Sequence, residues 1–518
     1  MFKTVFFKFL VIFFVSILTV YSQEKITKLT INNSEDSPVI NKHIYGHFAE
    51  HLGRCIYDGF FVGDTSKIAN TNGVRNDIIE ALKALKIPNL RWPGGCFADT
   101  YHWKDGIGPQ EGRPTIVNQW WGGVTEDNSF GTHDFLNMCE LLETEPYLSG
   151  NVGSGTVQEL ADWVQYTNFG GKSPMSDLRK KNGRSEPWKV KYWGIGNEAW
   201  GCGGNMTASY YANEYRKYAT FISDWNNTGG LKRIASGASS DDYEWTETLM
   251  KNIPNNMLGG LALHHYSVID WKNKGDAVSF TEDQYFATMT EALKMEELVT
   301  KHAAIMDKYD PKKKIDLVVD EWGGWYSVEE GTNPGFLYQQ NTMRDAVLAG
   351  VTLNIFNNHA DRVRMANLAQ TVNVLQAVIL TDKAKMILTP TYYVMQMYAV
   401  HQDAKLLPLI FESPMYNYSG KSLPAISVSA SKDANEFIHI SLVNIDANKE
   451  NIIEIDLKEF SIKNVSASII SSKKLQDYNS FDNPENIQPT NYKGFKIKNG
   501  KLHVVVPPFS VIVLEGKK

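Results

Sequence analysis

Apolar and polar positions follow two different textures along this chain. From residue 43 to about 400, short apolar runs alternate with stretches whose apolar residues recur at helical spacing. Eight runs read as strands: His43–Glu50, Asn89–Gly95, Glu145–Asn151, Val190–Glu198, Arg233–Ser239, Gly260–Tyr266, Ile315–Trp322 and Thr352–His359. Most are separated by a helix. Asn76–Ile87 opens on an asparagine-type cap, and Thr207–Trp225 and Phe280–Tyr309 repeat the pattern at greater length. Strands alternating with helices imply parallel pairing through right-handed crossovers. Eight such units point to a closed (β/α)8 TIM barrel, with active-site groups at the C-terminal ends of its strands.

Beyond residue 403 the period shortens to two. Ala425–Ala430, Glu436–Asn444, Asn451–Leu457, Val465–Ser471, Lys501–Val506 and the terminal run Pro507–Glu515 alternate between Lys/Asn/Asp/Gly turns, which predicts an all-β sandwich. Lys25–Ile40 is strand-like as well and is expected to join that sandwich. The organisation read from the pattern is a signal peptide over 1–22, a strand segment over 23–42, the barrel over 43–400 and the sandwich over 401–518. No internal repeat or low-complexity linker separates the last two, so they are expected to pack closely.

The N-terminus changes the cellular picture. Lys3 and Lys8 precede and punctuate the apolar run Val5–Val20, followed by Tyr21-Ser22-Gln23. This is the composition of a secretory signal peptide, and it predicts a secreted or periplasmic protein cleaved near Ser22–Gln23. The alternative, an uncleaved anchor, is disfavoured by a run near the lower limit for spanning a bilayer. Four cysteines (Cys55, Cys96, Cys139, Cys202) in 518 residues are no disulfide framework, although an oxidising compartment permits a pair.

Charge narrows the partners. Lys plus Arg total 52 against 58 Asp plus Glu, a net of −6, and no basic tract carries interleaved aromatics, which argues against nucleic acid. The 13 Trp and 24 Tyr suit a ligand with flat, weakly polar faces, and an aromatic-rich core explains them equally.

Two strand exits carry the candidate chemistry. Trp193-Gly194-Ile195-Gly196-Asn197-Glu198 ends one barrel strand on a glutamate where catalytic groups sit; the bland reading is a glutamate capping the next segment. Leu317-Val318-Val319-Asp320-Glu321-Trp322 runs a second strand into two acids, costly to bury unless they meet water, a partner or substrate. These exits belong to the fourth and seventh strands, nearly opposite in an eight-stranded barrel, so Glu198 and Glu321 are expected to face one pocket. Paired carboxylates there are the equipment of glycoside hydrolysis. Other exits add Glu50 and His51, Arg91 and Cys96 around the Gly94-Gly95 turn, and His264 with Tyr266 on one strand face. A lone strand histidine is more often a core residue, but the strand-exit position favours the pocket. His47-Phe48-Ala49-Glu50-His51 also matches an H-x-x-E-H zinc pattern. That chemistry needs a helix, and Ile44-Tyr45-Gly46 before the run and Gly53 after it argue against one.

Ile44–Arg54, Arg91–Cys96, Tyr101–Pro109, Gly194–Glu198, Asp320–Tyr326 and His359–Val374 together resemble, in order, the α-L-arabinofuranosidases of glycoside hydrolase family 51. The resemblance implies a retaining hydrolase that releases terminal α-L-arabinofuranosyl residues from arabinose-containing plant glycans, with Glu198 as acid/base and Glu321 as nucleophile. It places Glu50, Arg91, Asn197, His264, Tyr266, Trp325 and Gln370 around the furanose pocket, with Cys96 where other members carry Asn or Cys. No catalytic metal and no cofactor are expected. The family often forms hexamers, which leaves a homo-oligomer open. Retention predicts carboxyl groups roughly 5–5.5 Å apart. The competing readings are a β-1,4-endoglucanase or other glycosidase on the same barrel, a carbohydrate-binding protein with a dead barrel, and a zinc peptidase. The presence of both glutamates disfavours the dead barrel.

Overall fold

The computed structural model describes residues 26–225, 230–460 and 462–517. Eight parallel strands close a barrel in chain order: Gly46–Phe48, Asn89–Trp92, Glu145–Gly150, Tyr192–Ile195, Lys232–Ser239, Gly260–Ser267, Asp316–Gly324 and Val363–Ala369. Tyr147, Tyr192, Ile234, Ala262, Val318 and Met365 fill its interior as a separate apolar cluster. Seven of the expected strands coincide with observed ones, although the first is shorter because Lys42–Tyr45 forms a 3-10 turn capped by the Asn41 side chain.

The eighth strand lies elsewhere. Thr352–His359, read as a strand, forms the C-terminal half and cap of helix Met343–Asn358, and the closing strand is Val363–Ala369. The helix is buried at every position from Met343 to Asn357, so it has no polar face to reveal a 3.6-residue period. Thr352, Ile355 and Phe356 then supply the bias of a strand. The cap of Asn76–Leu85 also differs: Arg75 occupies the N-cap without a side-chain bond, and Asp77 in the first turn complements the helix dipole.

Two sheets form the C-terminal β-rich domain. One contains Lys405–Leu406, Ile426–Lys432, Ile438–Asn444, Ser510–Lys517, Asn464–Ile470 and Thr490–Asn491 in spatial order. In the other, the N-terminal strand Thr27–Ile31 pairs parallel with Asn451–Asp456 and antiparallel with Leu409–Phe411. The buried helix Met343–Asn358 joins barrel to sandwich through Asn354, Asn357 and Asn358, which bond Ser427, Ser429 and the Val428 carbonyl. Polar groups buried in such a seam must all find partners, which fixes its geometry.

Candidate active site

The fourth strand ends in a strained turn. Gly196 and Glu198 adopt positive φ of 80° and 39°, a conformation that costs a non-glycine residue unless the surroundings hold it. The Glu198 carbonyl accepts from Gly201 (2.7 Å) and Gly203 (3.1 Å), and Ala199 N–H donates to Ser236 Oγ at 3.0 Å. Asp99 ties the turn to its neighbours: Oδ2 accepts Asn197 N–H (3.0 Å), and Oδ1 accepts those of Val152 and Gly153 (both 2.8 Å). Burial pushes Asp99 up to about 7. No local pattern in the sequence distinguishes this residue.

The seventh strand presents its two acids through an irregularity. Ala262 pairs with Val318 but His264 with Glu321, so the seventh strand holds one extra residue against the sixth. Such a bulge re-aims side chains. Val318 faces the barrel's apolar cluster, while Asp320 and Glu321, although consecutive, both reach the polar centre.

There Arg91, from the second strand, donates to Glu321 Oε1 (2.9 Å), to the Asp320 carbonyl (3.1 Å) and to Asn197 Oδ1 (2.5 Å). Burial opposes its charge, but Asp320 and Glu321 outweigh burial and hold its pKa above the ordinary value. Tyr266 O–H donates to Glu321 Oε2 at 2.7 Å. His264 Nδ1 lies 2.9 Å from Glu198 Oε1 and 3.5 Å from Glu321 Oε2, and its Nε2 lies 3.1 Å from Asp320 Oδ1. Burial disfavours the imidazolium, yet Glu321, Asp320 and Glu198 together push His264 up to about 10. An oxygen of Glu198 and an oxygen of Glu321 lie within 4.8 Å of each other. Glu198 is raised, first by burial and then by the charge of Glu321, against the opposing bond from His264.

Glu50 supports the opposite wall. Oε1 accepts from Phe97 N–H (3.0 Å) and Trp121 Nε1 (2.9 Å), and Oε2 from Gln370 Nε2 (3.1 Å). Burial and the charge of Glu321 push it up to about 7. The glycine pair beside it is a packing requirement, since a Cβ at Gly95 would stand 2.7 Å from Glu50 Oε1. Cys96 is not a free thiol. It is bridged to Cys202 with Cα atoms 5.5 Å apart, and the two sulfurs lie 3.8 and 3.4 Å from Glu198 Oε2. The cavity above, about 730 Å³, is walled by Cys96, Cys202, Glu198, His264, Tyr266 and Trp325, with Trp120, Trp121, Trp200 and Trp271 around it. Trp325 stands edge-on to both Tyr266 (5.1 Å) and Trp271 (5.4 Å).

All ten sequence-derived candidates therefore belong to one connected assembly. Sequence reasoning did not single out Asp99, Cys202 or the outer tryptophans, and it noted Asp320 only as the companion of Glu321. The H-x-x-E-H pattern does not form a zinc motif. His47 lies on the first barrel strand with both ring nitrogens buried and without a hydrogen-bond partner, whereas His51 Nε2 accepts from Trp92 Nε1 at 3.2 Å.

The α-L-arabinofuranosidase C-terminal domain matches residues 320–510, and the α-L-arabinofuranosidase 1 domain matches 81–285. An intracellular exo-α-L-arabinofuranosidase of Bacteroides ovatus is 51% identical over 496 residues, covering 95% of this chain and 96% of its own. The chain belongs to the α-L-arabinofuranosidases of glycoside hydrolase family 51. The family 51 arabinofuranosidase of Xanthomonas axonopodis pv. citri superposes with a TM-score of 0.93 at 44% identity, across 95% of this chain and all (100%) of its own. An α-L-arabinofuranosidase of Thermotoga maritima in complex with arabinose gives 0.83 at 29% identity, across 94% of this chain and 99% of its own.

One relative's name also corrects an expectation. The secreted or periplasmic location read from residues 1–22 is overturned, because the 51%-identical Bacteroides relative is named an intracellular enzyme. Apolar runs with nearby lysines are a compositional signal, and the segment itself lies outside the described residues. No helix among the described residues is long and apolar enough to cross a membrane.

Proposed function

We propose that this chain hydrolyses terminal, non-reducing α-L-arabinofuranosyl residues from arabinose-containing oligosaccharides or polysaccharides by double displacement. The observation that carries this reading is the pair of carboxyl oxygens of Glu198 and Glu321 within 4.8 Å, beneath a tryptophan-walled cavity. Inverting enzymes hold their carboxyl groups about 6.5–9.5 Å apart to admit water, whereas direct attack needs roughly 5–5.5 Å.

Glu321 is the nucleophile. The Arg91 guanidinium donates to its Oε1 and the Tyr266 hydroxyl to its Oε2, which hold the carboxyl group in place for attack. Glu198 is the acid/base, and its raised pKa suits a group that must hold a proton for the departing oxygen. Asn197, Glu50 and Gln370 offer hydrogen-bonding groups to the furanose hydroxyls, and Trp325 and Tyr266 its apolar wall. Cys96 contributes to the wall as half of a disulfide. No step needs a metal or cofactor. The pairing of Thr27–Ile31 inside the C-terminal sheet supports a division into a barrel over 43–400 and a sandwich over 401–518 completed by 23–42.

The test is hydrolysis of 4-nitrophenyl α-L-arabinofuranoside followed by NMR during early turnover, beside a β-1,4-glucan control. The α-anomer of arabinose as first product supports the proposal. The β-anomer, or preference for the glucan, overturns it.

A further inference from the structure

We propose that Asp320 is a positioning residue that keeps His264 as a fixed cation whose Nδ1–H is donated to Glu198 through both halves of the reaction. The inference rests on the roles proposed above for Glu198 and Glu321.

Three carboxyl groups face the His264 ring: Glu198 and Glu321 on its Nδ1 side and Asp320 on Nε2. Two of them change charge during catalysis. When the glycosidic C–O bond breaks, Glu198 passes its proton to the departing oxygen and becomes anionic. An oxygen of Glu321 forms the new bond to the anomeric carbon and loses its charge. Water then attacks that carbon, Glu198 takes the proton, and Glu321 leaves as a carboxylate. Asp320 bonds to nothing in either step, so it alone supplies a constant negative charge.

Its surroundings fit that duty. Asp320 Oδ1 is 3.1 Å from His264 Nε2, Oδ2 accepts from Tyr147 O–H at 2.8 Å, and Arg91 Nε lies 3.5 Å from Oδ2. Burial opposes ionisation, but Arg91 and His264 outweigh it and hold Asp320 below the usual carboxylate range. The groups facing it are Arg91 from the second strand, Tyr147 from the third, His264 from the sixth and, farther off, Tyr211 of helix Ala208–Phe221. With Nε2 engaged, the ring can turn only Nδ1 towards Glu198. Glu321 already belongs to the reaction, so a second acid must come from elsewhere. The extra residue in the seventh strand brings Asp320 there, where regular alternation would aim consecutive side chains to opposite faces.

Asp320→Asn tests this directly, because it preserves shape and removes the charge. The imidazole then loses one of the anions that raise it and gives up its proton at lower pH than in the wild type. The pH profile of kcat acquires a basic limb: near wild type at about pH 5.5, and at least roughly tenfold lower by about pH 8, with KM within roughly threefold. Tyr147→Phe removes a donor to Asp320 but no charge, and keeps the wild-type limb. A purely structural role predicts instead a pH-independent loss in both variants. NMR of the carbon-13-labelled histidines in the wild-type enzyme needs no variant to fold. One ring must stay protonated beyond about pH 8, and His264→Gln assigns it. The proposal is overturned if Asp320→Asn keeps the wild-type basic limb, or if every histidine of the wild-type protein is neutral at that pH. Failure of the acid/base assignment itself shows separately, in the leaving-group behaviour of Glu198→Ala described next.

Discussion

Removing the Glu198 carboxyl should separate the two half-reactions, because only one of them can dispense with it. The Glu198→Ala turn should survive, since its restraints are main-chain bonds from Gly201 and Gly203 to the residue-198 carbonyl and from Ala199 to Ser236. What disappears is the carboxyl group 2.9 Å from His264 Nδ1 and within 4.8 Å of Glu321. General acid–base assistance is worth about 10²–10⁴-fold, or roughly 3–5 kcal/mol of barrier. An arabinoside with an alkyl leaving group should lose that whole factor in kcat/KM. A 2,4-dinitrophenyl arabinofuranoside should keep kcat/KM within about tenfold, because its phenolate leaves without a proton. Its kcat should still fall about 10²–10⁴-fold, since water then attacks the intermediate without a base. Stopped-flow measurement should therefore show a burst of phenolate followed by slow turnover. Azide fits the vacated space, is attracted by the His264 cation, and should accelerate the slow phase to give an arabinosyl azide of retained configuration. Equal losses on both substrates, with no burst and no response to azide, would refute the assignment of Glu198.

Glu321→Ala should abolish turnover of every arabinofuranoside with no burst, measured on the same substrates, because no covalent intermediate can form. Glu50→Gln should gain stability over the wild type as pH rises. Glu50 has a folded pKa raised from 4.5 to about 7, so its cost is absent below the lower value and fully developed above the higher. At about 1.36 kcal/mol per unit, the variant should gain roughly 3 kcal/mol relative to wild type between those limits in urea titrations, even as arabinose affinity falls. Equal differences at both ends would contradict a buried Glu50 of raised pKa. Cys202→Ser opens a bridge spanning 106 residues, which loop entropy values at up to about 5 kcal/mol, so its urea midpoint should fall. Its kcat should fall as well, because the bridge flanks Glu198; unchanged midpoint and rate would exclude both effects. Gly203→Ala places a Cβ against the Asn197 carbonyl oxygen and 2.8 Å from Asp99 Oδ2, and should lower kcat more than tenfold by displacing the acid/base turn. A variant of wild-type rate would show that the turn yields freely.

Much of this molecule was legible in the chain because periodicity reports directly on burial. Seven barrel strands announced themselves as short apolar runs between helical stretches, and the β-rich C-terminal region by its switch to period two, which follows from which faces meet water. Glu198 and Glu321 were legible for a related reason: an acid that ends a strongly apolar strand has few other uses. The helix Met343–Asn358 was illegible, since full burial erases the contrast that periodicity needs, and its strand-like half displaced the eighth strand. Residues 1–22 misled in the opposite way, because an apolar run beside lysines has the same composition whatever its fate. Only the tertiary structure decided the rest. Cys96 and Cys202 lie 106 residues apart, and nothing local says they meet beside Glu198. Asp99 carries no signal of its own, and becomes important because two loops bring three amides to it. Asp320 was visible as an acid, but its place against His264 depends on one extra residue in a strand, a register decided by pairing between strands rather than by the strand alone.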